Sequence, residues 1–184
     1  MKKILPIIST TLILTSLTTQ ASNLLLEAGL HFGGDELASV GFAGGSSESI
    51  EAGGLISLSA GLVSEIDEGL KLRTTIGIKF DSITASNGDL DFTRYPVSAM
   101  LFKNGEVFNA GIGATYHLSP EFESTGFAGD FSVSFDNAFG FVAEVDYKLG
   151  EKAYVGLKAT IIDYEIGSSK IDGNSFGVVI GTSF

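Results

Sequence analysis

The chain of 184 residues has no cysteine and no tryptophan, only three prolines and two histidines, and half as many basic as acidic residues, 11 against 22. Without cysteine, neither disulfides nor thiolate metal sites can hold the fold. The shortage of lysine and arginine argues against nucleic acid as a partner, because phosphate binding needs clustered positive charge. His31 and His117 have no partners at ligand spacing, so no metal cofactor is expected, and no other cofactor is expected either. Beyond residue 21, no run approaches the ~20 apolar residues of a membrane helix. A chain like this can enter a membrane only as a closed barrel that satisfies its own backbone. What it does hold in quantity is 24 glycines and 14 phenylalanines, a composition that leans towards β structure.

The first residues read as a sorting signal. Lys2 and Lys3 precede an apolar stretch over residues 4–17, and small side chains at Thr19 and Ala21 suit cleavage after Ala21. Pro6 and the interspersed Ser and Thr leave that stretch too short for a membrane anchor. The expected organisation is a cleaved signal peptide over 1–21 and one domain over 22–184. That domain has 163 residues, 9 basic against 22 acidic, for a net charge of −13.

Period two dominates the remainder. Over residues 70–81, Leu70, Leu72, Thr74, Ile76, Ile78 and Phe80 share one face, and Lys71, Arg73, Thr75, Gly77, Lys79 and Asp81 share the other. A helix would scatter both sets around its circumference, so this segment is a strand. The same alternation recurs from Leu24, from Ile50, around Tyr95, from Phe108, from Phe139, from Val155 and from Phe176, which makes eight strands. The fourth is the least regular: Phe92, Met100 and Phe102 fall on its polar face, and Pro96 is the expected place for a bulge. Phe131, Val133 and Phe135 keep the apolar parity of the sixth strand, as if it ran on past its membrane segment.

The connections alternate in length. Residues 64–69, 103–106 and 150–152 are short, the second containing the hairpin dipeptide Asn104-Gly105. Residues 34–49, 82–91, 119–130 and 164–174 are longer and rich in Gly, Ser and Asp. An even strand number with short turns at one end and long loops at the other is the layout of outer-membrane barrels. A soluble barrel would put the apolar face inside. The membrane arrangement is favoured by the glycine and serine of the polar face, which suit a crowded lumen, and by its mid-strand charges of both signs. Phe32, Phe80, Tyr95, Phe108, Tyr116, Phe139, Tyr147 and Phe184 also fall near strand ends like two aromatic girdles. The expected fold is all-β, an eight-stranded antiparallel up-and-down transmembrane β-barrel.

On these residues the chain resembles the small eight-stranded outer-membrane β-barrel proteins of Gram-negative bacteria, of the OmpA and OmpX type. The likeness covers the whole of 22–184 and includes the last strand. There Phe176, Val178, Ile180 and Phe184 match the alternating, aromatic-ended signal that the barrel assembly machinery reads in that group, while Thr182 departs from it. The resemblance implies an outer-membrane location, long loops outside, both termini of 22–184 in the periplasm, lipid and lipopolysaccharide as surroundings, and a monomer. No peptidoglycan-binding domain of the kind OmpA carries is expected.

Three constellations could carry function. The polar face offers Glu27, Glu51, Glu144 and Asp146 against Lys71, Arg73, Lys79 and Lys158, with Arg94 and Lys148 nearby, a set able to pair and plug an eight-stranded lumen. Rearrangement of those pairs would instead open a narrow, porin-like path for small solutes or ions. His117-Leu118-Ser119 contains the His-x-Ser element of barrel enzymes that deacylate lipid A, but both residues have lumen parity, and a strand terminus is the expected reading. Acidic loop residues, among them Asp35, Glu36, Glu48, Asp89, Asp91, Glu121, Glu123, Asp130, Glu165 and Asp172, suit solvation or weak cation bridging to lipopolysaccharide phosphate. Asn87-Gly88-Asp89-Leu90-Asp91 resembles a calcium-loop fragment without the full ligand spacing. The expected function is structural or surface-interactive, with the pore second and a lipid A-modifying enzyme third.

Overall fold

The computed structural model describes residues 22–42, 44–85, 87–126 and 129–184; the expected signal peptide lies outside the described residues. Twelve strands follow one another: β1 (Ser22–Phe32), β2 (Glu36–Gly41), β3 (Ser47–Glu51), β4 (Leu55–Asp67), β5 (Leu70–Ala85), β6 (Gly88–Asn104), β7 (Phe108–Ser124), β8 (Phe131–Ser134), β9 (Ala138–Lys148), β10 (Ala153–Ile166), β11 (Ser169–Asp172) and β12 (Ser175–Ser183). Eight of them, β1, β4, β5, β6, β7, β9, β10 and β12, pair antiparallel in chain order. The ring closes where Leu25 to Phe32 of β1 pair with Ser183 to Phe176 of β12. The fold is therefore an all-β, eight-stranded up-and-down barrel.

The wall explains the alternation. Outward side chains include Ile112, 71 % exposed, Ile161, Phe141 and Ile76, with leucines 26, 30, 58, 62, 101 and 157 alongside. A continuous belt of large apolar groups around a whole circumference is stable against lipid, not water. Aromatics edge it at both ends. Phe32 lies opposite Phe176 and Tyr116 opposite Phe139 towards one end. At the other, the rings of Phe108 and Tyr147 sit 5.4 Å apart.

At the short-turn end, Gly69 turns between β4 and β5 with φ +76°, a conformation glycine adopts without strain. At the opposite end the expected long loops are mostly strand. β5 and β6 continue in register until Ala85 lies opposite Gly88, so most of the loop expected over 82–91 is paired strand. β2 and β3 form a hairpin, while β8 pairs with β7 and β11 with β10.

In these extensions the pattern turns inside out. Ile83, Leu90, Phe92, Phe122, Phe135, Ile162 and Tyr164 point inward and are buried together with Ile50 and Ala52. Ser82, Thr84, Glu123 and Ser132 face outward. Past the lipid belt, the barrel is built like a water-soluble one. Ile50 and Ala52 were expected on the lipid face of the second strand. They instead belong to β3 and to the segment after it, and both are fully buried in this core. Phe92 is buried for the same reason, its ring edge-on to Phe135 and to Tyr164 at 5.6 Å each. Such pairs contribute about 0.5–1.5 kcal/mol each beyond the area they bury.

The bulge lies on the fifth barrel strand, not at Pro96. Thr93 pairs with Glu121 but Tyr95 with Leu118, so β7 carries one residue more than β6 across this step. Ser119 takes it up with φ +45°, its N–H donating to Asn137 Oδ1 at 2.8 Å. The step flips the parity of β7, so Pro120, Phe122 and Ser124 face inward beyond it. The chain between β8 and β9 flips at the same level. Its register with β7 is accordingly unchanged, and Phe135, expected on the outward face, turns into the core.

Candidate functional site

The lumen is filled in layers. Towards the short-turn end, Arg73 on β5 reaches across the barrel. Its Nη2 donates to Asp146 at 2.7 Å, its Nη1 donates to Glu144, and Glu27 lies 3.5 Å away. Lys158 on β10 bridges Glu27 and Glu144, the latter at 2.8 Å, and Tyr154 donates its hydroxyl to Glu27 at 2.5 Å. The guanidinium is also held between two rings, 3.9 Å from the Phe102 centroid and 4.5 Å from that of Tyr154. Three carboxylates and two cations thus share one closed network, flanked by Leu25, Val179 and Val63 on one side and by Met100, Phe102 and Val142 on another. Removing a member would strand buried charge, the costly outcome for such groups.

Not every expected member joins it. Glu51 is on β3, outside the barrel wall, where its Oε2 accepts from the Gly33 N–H at 2.8 Å. The break between β3 and β4 takes β3 out of the wall, and Glu51 makes no salt bridge among the described residues. Lys71, one turn of the pleat below Arg73, makes no salt bridge among the described residues, since the carboxylates sit above it and are already engaged. Lys79 is buried, but its partner is the Ser175 hydroxyl at 3.0 Å and not a carboxylate. Lys148 is at the short-turn end, donating to the Gly105 carbonyl at 2.6 Å. Tyr154 and Tyr164 were not expected in the lumen, whereas Phe102 was already placed on the polar face of its strand. Tyr154 has the parity of Lys158, so extending that strand, expected from Val155, back by one position places it inside.

A second plug lies towards the hairpin end. Arg94, with no exposed surface, donates to the carbonyls of Phe92, at 3.3 Å, and Gly54, with the Phe92 ring 4.5 Å from its Cζ. Above it sits the apolar core around Phe92 and Tyr164, on which the partly buried Leu37, Ala38, Val40 and Phe42 of the β2–β3 region pack. Between the two plugs a cavity of about 50 Å³ remains, lined by His31, Ser57, Lys79, Ser98, Thr115 and His117 among others.

His117 and Ser119 do not come together. His117 Nδ1 shares a 2.6 Å hydrogen bond with the Tyr164 hydroxyl inside the barrel, whereas Ser119 is exposed at the bulge and β7 runs on to Ser124. The step is a bulge and not a strand terminus. The calcium-like run is strand as well: Asp89 lies opposite Thr84 and Asp91 opposite Ser82.

The hairpin end carries an acidic rim. Asp91 faces Glu123 across β6 and β7, and Asp163 faces Asp172 across β10 and β11. Asp35 ties β1 to β11, donating its N–H to the Asp172 carbonyl at 2.7 Å and accepting the Asp172 N–H at 2.8 Å. Lys170 lies 2.6 Å from Asp163, and that hydrogen-bonded contact raises the lysine pKa above its usual value. No group of three potential metal ligands occurs among the described residues.

Comparison with solved structures settles the architecture. Ail, the attachment invasion locus protein of Yersinia pestis, superposes with a TM-score of 0.55 at 13 % identity, over 89 % of this chain and 97 % of Ail. The chain has the fold of the small outer-membrane β-barrels. Ail in complex with the heparin analogue sucrose octasulfate gives 0.54 at 12 % identity with the same coverage. Neisserial surface protein A (NspA) gives 0.49 at 11 % identity, over 89 % of this chain and 97 % of NspA. No family model matches the sequence, and no curated protein is similar to it.

Proposed function

We propose that this protein is an integral outer-membrane barrel whose wall holds a strand-built acidic rim at the cell surface, and that its role is structural or interactive. The observation that carries this reading is the double closure of the lumen, by the Arg73 network and by the Phe92–Tyr164 core. A barrel closed at two levels invests its side chains in rigidity and not in passage. In this reading the hairpins are extracellular, the short turns and both termini of 22–184 are periplasmic, and residues 1–21 are a cleaved export signal. The wall meets lipid, the rim meets lipopolysaccharide, and the outward Phe176, Val178, Ile180 and Phe184 are what the assembly machinery reads. The protein acts as a monomer and not as a lipid A-modifying enzyme, since His117 and Ser119, the pair that would serve as base and nucleophile, are apart. Ail supports the fold alone, and what the rim binds must be set by its own charge, which is acidic.

Planar bilayers test this. Purified full-length protein should give no discrete conductance, and steps of reproducible size would replace this reading with the narrow pore.

A further inference from the structure

The cavity between the two plugs is walled largely by hydrogen-bond donors. Lys79, 5 % exposed, has no carboxylate within 4 Å among the described residues and spends one of its three N–H donors on Ser175. Thr115 Oγ1 accepts from Ser98 at 2.9 Å, which leaves the Thr115 hydroxyl hydrogen to point elsewhere. His31 shares a 2.8 Å hydrogen bond with Ser57 through Nε2, while its buried Nδ1 has no partner. His117 shares its Nδ1 with the Tyr164 hydroxyl at 2.6 Å, so its Nε2 is the ring nitrogen left for another partner. The one carboxylate on the wall, Glu27, is already taken by Lys158, Tyr154 and Arg73. Asp81, two residues beyond Lys79 on the same strand, accepts the Glu51 N–H at 3.0 Å. Positive charge and donors therefore exceed acceptors at this level, and an isolated ammonium away from water is costly without a counter-charge.

We propose that this cavity is a binding site for one small inorganic monovalent anion of the halide class, held by Lys79 with Thr115 and the two imidazoles around it. Its volume of about 50 Å³ accommodates one such ion. Because the site is closed above and below, the ion enters as the barrel folds and exchanges slowly afterwards. It is a structural ion and carries no current, so the inference does not depend on what the rim binds.

Protein refolded into detergent and crystallised in sodium bromide should give a bromine anomalous peak in contact with Lys79 Nζ. Its thermal midpoint should be several degrees higher in chloride or bromide than in gluconate at equal ionic strength. Lys79→Met should abolish both the peak and the anion dependence. Should that variant fail to fold, Thr115→Val should weaken the dependence while leaving the barrel intact. A cavity without a bromine peak, or midpoints that follow ionic strength regardless of the anion, would overturn the proposal and leave the sealed-barrel reading standing, since conductance tests that separately.

Discussion

Arg73 and Asp146 meet at 2.7 Å across the lumen, from strands that do not pair, with the carboxylate side chain wholly buried and the guanidinium nearly so. That contact joins β5 to β9, which lie three strands apart around the ring of eight, so it braces the cylinder across its interior. Arg73→Met leaves Glu27, Glu144 and Asp146 with one cation among them. We expect a loss of about 3–5 kcal/mol, the range for breaking a buried pair from one side. Urea unfolding in lipid vesicles, followed by the gel shift between folded and heat-denatured forms, measures it. Replacing Glu144 and Asp146 together with Arg73 by apolar residues of like volume should recover most of that loss.

The two plugs act in series. Phe92→Ala removes the ring at the centre of the upper core and should cost about 3–5 kcal/mol, yet the bilayer current should stay silent because the Arg73 network still closes the barrel below. Only the combination with Arg73→Ala should conduct. Current from either single variant would show that one plug, not two, holds the lumen shut.

Ile112 is the most exposed large apolar side chain of the wall. Ile112→Arg should destabilise the protein in a bilayer by about 2–4 kcal/mol, the range for a charge at the midplane of such a barrel. Glu123→Arg, on the rim, should leave the same unfolding curve unchanged. Equal effects from the two would mean that the belt is not in lipid.

Gly34, with φ +87°, closes the start of the β2–β3 region against the barrel, and a Cβ there would sit 2.5 Å from the Gly53 nitrogen and 2.9 Å from the Asp172 carbonyl oxygen. Gly34→Val should release the hairpin from the upper core. Limited proteolysis should then cut within residues 36–51, while the heat-shifted gel mobility of the barrel remains.

Lys170 keeps its proton above the usual lysine range because Asp163 accepts a hydrogen bond from it and adds an attractive charge. A raised value in the folded state means that the contact is intact at neutral pH and weakens only as pH climbs through that value. The ¹³Cε resonance of Lys170 should titrate later than those of lysines in a denatured control, and Asp163→Asn should bring it back.

The wall was readable because lipid imposes one rule on it. Leu70 to Asp81 alternate, with Thr74 the one polar outer residue, between an apolar outer face and a smaller or charged inner one. That rule fails where the lipid ends. Phe92 looked misplaced, and Ile83 and Leu90 fell in an expected loop, because past the belt the solvent changes sides and an apolar residue must then point inward. The two ways of building a barrel, which at the level of sequence compete as alternatives, are stacked in one molecule. The centre of the Arg73 network was likewise visible as charges of both signs on one face. Its membership was not, because parity assigns a residue to the lumen but does not give its height. Lys71 and Lys79 flank Arg73 on the same face, and one lies below the carboxylates and the other above them. Glu51 failed for another reason: a strand break at residues 52–54 is invisible to a pattern that continues through it.

β6 and β7 run 17 residues each, whereas about 9–11 suffice to cross the hydrocarbon of a membrane. The surplus, at ~3.3 Å per residue along the strand, stands clear of the lipid as a paired continuation of the wall, and the step at Ser119 shifts the register with β6 by one residue while leaving that with β8 and β9 unchanged. There is accordingly no hinge between what grips the rim and what sits in the bilayer. A load applied at Glu121 or Glu123 travels down hydrogen-bonded ladders into the braced cylinder, so the molecule resists traction as a single post.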